Sequence, residues 1–343
     1  MWFNYNKMDY LGLDIGHHSI KAAWIKKKGK KEFLLALGEA VNPTNGDFWH
    51  SDKQREAIAG TIRKLVGDLQ IKPKLVVAGL SESRVVSRMI SMPPMKESEI
   101  ARALRYEAET FIPYPLKDVQ IDYRVINKNS DGRQDVFVVA AKTEAVRSIE
   151  AVLDKAGLVP VALENTAIAL ARSLVPLRET PTLILEMGSS NTIAAIAKQG
   201  SVYMTRILPL GGEAFTRSVR LSLGMDVFKA EEYKKAYGLK KGEWKDKIRS
   251  ALLEVLNNLI SETRKTIIAF KEEWKEGVDL IILSGGGAMM PGLSEEILAV
   301  MGVEVQWADS LANLDITKIK TTIDLKKEKL RYSTVIGLAQ RNL

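Results

Sequence analysis

Apolar positions alternate at Leu11, Leu13 and Ile15, pause over residues 16–19, and resume from Ile20 to Ile25. A period of two marks a strand with one buried face. Residues 11–25 therefore read as a β-hairpin, with Asp14 just ahead of a turn that contains Gly16. The pattern returns at 183–192, where Leu183 and Leu185 lead into Glu186, Met187, Gly188 and the small polar run Ser189 to Thr192. Beyond each hairpin the match continues. Residues 24–28 run into Gly29 and a strand from Phe33, and residues 194–197 run into Gly200 and a strand from Val202. Two strand–turn–strand–turn–strand units imply an internal duplication, with the two hairpin turns facing one another.

Between and after these units the periodicity changes. Ile58, Ile62, Leu65, Val66 and Leu69 share one helical face, predicting a helix over 52–69, and Pro73 precedes a buried strand at 74–80. From 82 to 160 the texture is that of a small inserted α+β domain. It reads as a strand at 84–90, a helix at 97–111 carrying Ile100, Leu104, Ala108 and Phe111, strands at 119–126 and 135–141 around the turn Asn129 to Gly132, and a helix at 143–156. A strand at 158–163 and an alanine-rich helix at 164–174 lead to the second hairpin unit. Residues 214–277 read as helical throughout, ending in a helix over 244–274 with Ile248, Leu252, Leu256, Leu259, Ile267 and Phe270 in one stripe. A strand at 279–283, a helix opening at Pro291-Gly292, a strand at 303–307 and a small-residue helix at 330–340 complete the pattern.

A length of 343 residues favours two or more domains, and 46% apolar with 27% charged residues is ordinary for a globular chain. With no cysteine, disulfides and thiol chemistry are excluded, and three histidines (His17, His18, His50) leave little for a histidine metal cluster. The net charge of +8 is scattered rather than gathered on a basic helix, which argues against nucleic acid and allows weak attraction to an anionic membrane surface. No apolar run reaches the roughly 18 residues that span a bilayer, and no signal peptide opens the chain. The aromatic stretch 1–10 reads as a frayed terminus, with a membrane-touching tip as the alternative. These features predict a soluble, cytosolic protein.

The candidate chemistry sits in the turns. Gly16 admits close approach of a ligand to the backbone, and successive N–H groups in such a turn form an anion nest suited to phosphate. Asp14 beside it would hold Mg²⁺, a hard cation that bridges to phosphate oxygens. Gly285-Gly286-Gly287 follows a strand and precedes a helix, a setting that admits a nucleotide, although no Lys-Ser/Thr closes it as a P-loop. Gly211-Gly212-Glu213 is a second glycine pair after a strand. Glu231 and Lys234 lie three apart on one helix face and read, taken alone, as a solvated ion pair. His17-His18 reads as exposed in its turn.

The order of hairpin, Glu164 at a strand–helix junction, second hairpin, Gly-Gly-Glu, Ala230-Glu231-Glu232-Tyr233-Lys234 and Gly-Gly-Gly resembles the actin-like ATPase superfamily of actin, DnaK-type chaperones, FtsA and sugar kinases. Within it, Tyr106-Glu107-Ala108-Glu109, Ile112-Pro113-Tyr114-Pro115 and Asp122-Tyr123 resemble the PilM family of type IV pilus assembly, as do Leu158-Val159-Pro160-Val161 and Tyr237-Gly238. The resemblance covers essentially the whole chain. It implies an α/β, actin-like (ribonuclease H-like) duplicated two-lobe fold with a small inserted α+β domain as in FtsA. The first lobe would comprise 1–81 and 161–180, the insert 82–160, the second lobe 181–213 and 278–343, and a helical subdomain 214–277.

By the same resemblance, Asp14, Gly16, Ser19 and Lys21 form the first phosphate motif, and Glu186, Gly188 and Thr192 the second. Asp14 and Glu186 would hold Mg²⁺. Glu164 and Glu186 would be the catalytic acids, Glu164 positioning the attacking water. Gly211 and Gly212 would approach ribose and phosphates, Glu231 and Lys234 the ribose and adenine, and Gly285, Gly286, Gly287 and Met289 the adenosine. Residues 336–339 would be the last connecting helix. Two departures stand out: His17-His18 replaces small residues in the phosphate turn, and Glu186 replaces an Asp. The latter shifts the carboxylate by about one methylene, to which an octahedral Mg²⁺ site is sensitive.

The resemblance thus implies an ATP–Mg²⁺-binding scaffold, at most a weak ATPase. It would dock the cytoplasmic N-terminal tail of the inner-membrane protein PilN in a cleft between the first lobe and the insert. Pilus motor ATPases or the platform protein would be further partners, self-association stays open, and membrane contact would come only through partners. Two rivals remain. A small-molecule kinase needs a general base, for which Asp118 and Asp122 are the candidates in the insert. An FtsA-like filament anchor needs an amphipathic membrane helix, usually C-terminal, which 339–343 does not resemble.

Overall fold

A computed structural model of the chain describes residues 9–128, 132–242 and 245–342. The expected terminus at 1–8, the turn residues Asn129 to Asp131, the first helical residue Trp244 and the final Leu343 lie outside the described residues.

The chain opens as an antiparallel meander of β1 (Leu11–Ile15), β2 (Ser19–Lys28) and β3 (Lys31–Val41). Helix α1 (Asp52–Asp68) carries the chain over to β4 (Leu75–Leu80), which pairs parallel to β1. Ser51 caps α1 with its hydroxyl, and the helix buries Ile58, Ile62 and Leu65 against the sheet. The insert follows as β5 (Val85–Met92), α2 (Glu97–Phe111), β6 (Val119–Lys128) and β7 (Gln134–Lys142), and α3 (Thr143–Lys155) then packs Val146, Ile149, Val152 and Leu153 into the first core beside α1. The sheet of the insert runs β5-β7-β6, and α2 covers one face with Ile100, Leu104 and Ala108. Strand β8 (Val159–Asn165) then rejoins the first sheet beside β4, and α4 (Thr166–Leu174) leaves it.

The second unit repeats the first. A meander of β9 (Thr182–Met187), β10 (Thr192–Lys198) and β11 (Ser201–Leu208) is followed by α5 (Gly212–Leu223), α6 (Val227–Tyr237) and the long α7 (Lys245–Trp274). Next come β12 (Leu280–Ser284), α8 (Leu293–Met301) and β13 (Glu304–Trp307). The second sheet is ordered β11-β10-β9-β12-β13, and the first contains the matching path β3-β2-β1-β4-β8. The duplication extends to an irregularity. The pairing shifts register between Trp24 and Ile25 in the first meander and between Ile196 and Ala197 in the second. The stripe of α7 is buried as its period requires, with Ile248, Leu252, Leu256, Leu259 and Phe270 in the second core and Ile267 at its margin.

Three expectations change. Glu164 and Asn165 belong to β8 rather than to a helix, because the Asn165 side chain caps α4 by accepting from the N–H groups of Ala167 and Ile168. The last stretch does not stay with the second lobe. Strands β14 (Leu314–Asp315) and β15 (Lys320–Thr321) pair parallel with β3 at the far edge of the first sheet. The expected helix at 330–340 is a 3₁₀ turn (Lys329–Tyr332) running into α10 (Ser333–Ala339), preceded by the short α9 (Leu325–Glu328). Among the described residues no helix is long and apolar enough to cross a membrane.

Helices α4 and α10 cross at very short range in the middle of the molecule. A Cβ on Gly337 would lie 1.9 Å from the carbonyl oxygen of Ala169, and one on Gly12 would lie 2.6 Å from the Ala339 nitrogen. Backbone cannot yield as a flexible side chain can. Gly337→Ala is therefore expected to cost about 3 kcal/mol of stability. Urea unfolding should show this as a lower midpoint at unchanged slope.

Candidate functional site

The two hairpin turns are built alike. The Gly16 N–H donates to the Ser19 carbonyl at 3.0 Å, and the Gly188 N–H donates to the Asn191 carbonyl at 2.9 Å. In each turn the glycine has almost no room for a side chain: a Cβ would stand 3.0 Å from the Ser19 oxygen in one and 3.1 Å from the Asn191 oxygen in the other. Asp14 lies opposite Lys21 in the first hairpin, and their charged atoms are 4.0 Å apart. Lys21 also reaches Glu186 of the second hairpin, so the two turns do face each other.

Burial raises Asp14 above the usual carboxylate range, and Lys21 pulls it back. Burial likewise pushes Glu186 up to about 7 against the pull of Ser284 and Lys21, with Asp14 adding to the rise. Glu186 Oε2 is shielded from solvent and has no hydrogen-bond partner. Two carboxylates thus share one ammonium in a recessed place, which leaves the group short of positive charge. Among the described residues no set of three or more His, Asp or Glu is arranged to hold a metal. A hard cation here would need oxygens from a bound ligand, and Mg²⁺ held by one or two carboxylates plus phosphate fits that need.

The glycine runs wrap the second turn. Gly212 N–H donates to the Gly188 carbonyl at 2.9 Å, and Glu213 N–H to that of Ser189 at 2.8 Å. A Cβ on Gly211 would fall 2.4 Å from the Ser189 oxygen. Gly285 has φ +88°, and a Cβ there would strike the Met187 oxygen at 2.4 Å, while Gly287 presses on Met187 as well. Gly286 is freer, with only Arg331 nearby, and Met289 is partly exposed. Gly188, Gly211, Gly212, Gly285 and Gly287 are therefore brought together. Ser19 begins β2 at the turn. Thr192 is turned to another task, its hydroxyl donating to the Leu210 carbonyl at 2.6 Å.

Glu231 and Lys234 also reach this region, but as a brace. Lys234 is buried and donates to the Gly212 carbonyl at 2.9 Å, to the Thr216 hydroxyl at 2.8 Å and to Glu231 at 2.7 Å. Burial opposes ionisation of Glu231, yet hydrogen bonds from Lys234 and Thr216 outweigh it and hold the carboxyl at about 2. The solvated ion pair expected from spacing is thus a partly buried lock between α6 and the start of α5. Glu164 is not brought to the turns as a free acid. Arg172 grips both its oxygens at 2.6 and 2.7 Å, and Arg341 donates to one of them at 2.6 Å. Three of the roughly four acceptor sites of this carboxylate are thus committed to arginines, and the acid is 4% exposed, so it serves here as the anchor of an ion-pair cluster.

Several functional candidates carry no sequence motif. Asn42 is buried and braces the first turn, its side chain donating to the Gly16 carbonyl at 2.7 Å and its N–H to that of His18 at 2.8 Å. His17 and His18 reach across to Glu213. Glu82, where the chain enters the insert, is buried beneath the N-terminus of α4. It accepts from the Ala167 N–H at 3.3 Å, and the Asn165 and Thr205 side chains lie near enough to favour its charged form. The Ser87 and Thr205 hydroxyls are 3.1 Å apart, so first lobe, insert and second lobe meet at this point. Finally, a cavity of about 740 Å³ opens between the start of α1 with the loop before it, α3, and the 114–118 segment of the insert. Trp49, Arg55, Tyr114, Lys117, Lys142 and Arg147 contribute to its wall. Arg84 stacks on the Trp49 ring and Lys142 on the Tyr114 ring.

Comparison with known proteins places this geometry. Residues 12–343 match the family model described as type IV pilus assembly protein PilM. A solved PilM-PilN type IV pilus biogenesis complex shares the fold at a TM-score of 0.82 and 26% identity, covering 98% of this chain and 99% of that one. The cell division protein FtsA of Enterococcus hirae is 22% identical over 87% of this chain and 77% of its own length. MreB 5 of Spiroplasma citri, solved bound to AMPPNP, matches at a TM-score of 0.55 and 13% identity over 96% of this chain and 94% of that one, a likeness of fold.

Burial pushes Glu82 up to about 7 from its ordinary 4.5 against the pull of the Ala167 N–H and of the Asn165 and Thr205 side chains. Between those values the folded state holds a proton that the unfolded state has lost, so stability falls as pH rises and levels off above 7. Glu82→Gln removes the penalty. The variant should match the parent in thermal unfolding at pH 5 and exceed it by about 2 kcal/mol at pH 8.

Proposed function

The chain belongs to the PilM family of type IV pilus assembly proteins, and from that premise we propose that it is a nucleotide-binding actin-like scaffold. It docks the N-terminal cytoplasmic tail of a PilN partner and so links that inner-membrane protein to the cytoplasmic pilus motor. The observation that carries this reading is the cavity between first lobe and insert, in a chain whose fold follows that of a PilM-PilN complex from end to end. An extended peptide suits such a groove, with backbone bonds supplying affinity and side-chain pockets specificity. Four cations (Arg55, Lys117, Lys142, Arg147) against two acids (Asp118, Glu144) favour a tail segment carrying negative charge. In this reading the protein lies on the cytoplasmic face and meets the membrane through its partner.

At the hairpins, Asp14 and Glu186 would hold Mg²⁺, and the turns at Gly16 and Gly188 would present N–H groups to the phosphates of a nucleotide. The metal, when bound, neutralises the phosphate charge and fills the deficit left by two acids and one ammonium. Gly286 offers an open backbone surface against which a nucleoside can lie, with the buried Gly212 fixed by Lys234 and Gly188 behind it. Because Arg172 and Arg341 occupy Glu164, this chain binds and orients the nucleotide more readily than it activates a water to attack it.

Anisotropy of a fluorescent PilN-tail peptide tests the docking, and calorimetry with Mg–ATP tests the nucleotide. Arg147→Glu should weaken the peptide about tenfold or more while leaving nucleotide affinity unchanged. Asp14→Asn should do the reverse. Peptide binding indifferent to Arg147 would move the partner elsewhere on the surface.

A further inference from the structure

The first phosphate turn carries two histidines, and both point at one carboxylate on the other lobe. His18 Nε2 lies 2.9 Å from Glu213 Oε1, and His17 Nε2 lies 3.6 Å from the same oxygen. The two rings meet edge to face with centroids 5.2 Å apart. Glu213 stands in the first turn of α5, with its own N–H tied to Ser189 of the second hairpin. The contact therefore runs from the tip of one phosphate turn to the backbone that wraps the other.

This arrangement is held from several sides. Gly46, at φ +76°, leaves room that a Cβ would take away, since that atom would sit 2.8 Å from His17 Nδ1. Asn42 fixes the turn on either side of the histidines through Gly16 and His18. The turn backbone that carries the histidines is thus fixed, His17 is packed against Gly46, and the exposed His18 ring and Glu213 carboxylate meet at its outer edge, where Glu213 has room to turn away. Behind the contact lie Asp14, Lys21 and the unpartnered Glu186 oxygen.

We propose that Glu213 is an intramolecular stand-in for the terminal phosphate of a nucleoside triphosphate, and that His17 and His18 form a triphosphate-reading clasp. The inference rests on the nucleotide reading above and deepens it. Two imidazoles can serve one anion at a time. A phosphate seated in the turn places its outermost group beside Glu213, where like charge drives the carboxylate out and hands the imidazoles to the phosphate. A diphosphate lacks that outermost group and leaves the clasp shut. The pair thus separates triphosphate from diphosphate and ties the distinction to whether the lobes are latched across the mouth.

The test uses the full chain. Mg–ATP and Mg–ADP affinities are measured by calorimetry for the parent, Glu213→Gln and the double variant His17→Ala/His18→Ala. Because the chain has no cysteine, spin labels at Val41→Cys at the end of β3 and Leu221→Cys on α5, two exposed sites on either side of the contact, report the distance across it without nucleotide. Removing the competing charge in Glu213→Gln should tighten ATP about tenfold, change ADP less than about twofold, and lengthen or broaden the label distance. The histidine variant should open the lobes equally yet lose the preference for ATP. Equal gains for both nucleotides, or no gain in a parent that binds them, overturn the clasp while leaving the nucleotide site standing. A parent that binds neither nucleotide overturns both. Glu213→Ala serves as a second variant should the Gln amide keep the histidine contact, and an unaltered ATP-to-ADP ratio there counts against the proposal.

Discussion

Two carboxylates and one ammonium share a recessed floor between the lobes, and the rest of the site is arranged around that imbalance. Lys21 sits within reach of Asp14 and Glu186 but cannot neutralise both. Left alone, the pair is relieved by holding a proton, which is why burial drives both carboxyls upward. A divalent cation relieves it better, and such a cation arrives most readily with phosphate oxygens already attached. The glycine turns on both sides of the floor fit the same demand, since backbone N–H groups meet anions without adding another charge to be balanced.

That floor was legible in the chain because duplication wrote it twice. One hairpin with an acid before a glycine is unremarkable; the same sequence of strand, acid, glycine and strand recurring in the other half is not. The sheet orders and the shared register shift show that the repeat extends beyond the turns to the whole meander. Periodicity also placed α1, α2 and α7, whose buried faces match the spacing of their apolar residues. Local pattern failed where a side chain competed with it. Residues 164 and 165 look helical by composition, but the Asn165 amide oxygen satisfies the first free N–H groups of α4 and ends the strand there. The two-residue strands β14 and β15 are too short to carry any period, so their return to the first sheet is a tertiary fact.

The site residues divide in the same way. Backbone requirements were readable, since Gly211 and Gly285 stand where any Cβ would strike the second hairpin. Side-chain roles were less so. Glu164 is the right type at the right junction, yet its meaning depends on Arg172 one helix away and Arg341 near the end of the chain. Glu82 and Asn42 act through neighbours far apart in sequence, and no spacing rule connects Glu82 with Thr205. The 740 Å³ cavity is assembled from three separate stretches, so its shape has no linear signature.

The contacts between the halves differ in kind from bottom to top, and this bears on what binding can do. At the base, α4 of the first lobe buries Ala167, Leu170 and Ala171 in a core shared with Ile184, Ile193 and Ala195 of the second. Beside it α10 lies backbone to backbone on α4 at Gly337. Apolar packing of that density has few alternative arrangements. At the mouth the lobes touch through His17, His18 and Glu213, all substantially exposed, where water can replace either partner at small cost. A ligand entering from the mouth therefore works against exchangeable polar contacts while the base holds its geometry. The Glu82 junction stands between these extremes, buried yet polar, and it is also where the insert is fastened. First lobe, insert and second lobe meet there through hydrogen bonds that are few and directional, so this junction tolerates less rearrangement than the mouth and is less densely packed than the base.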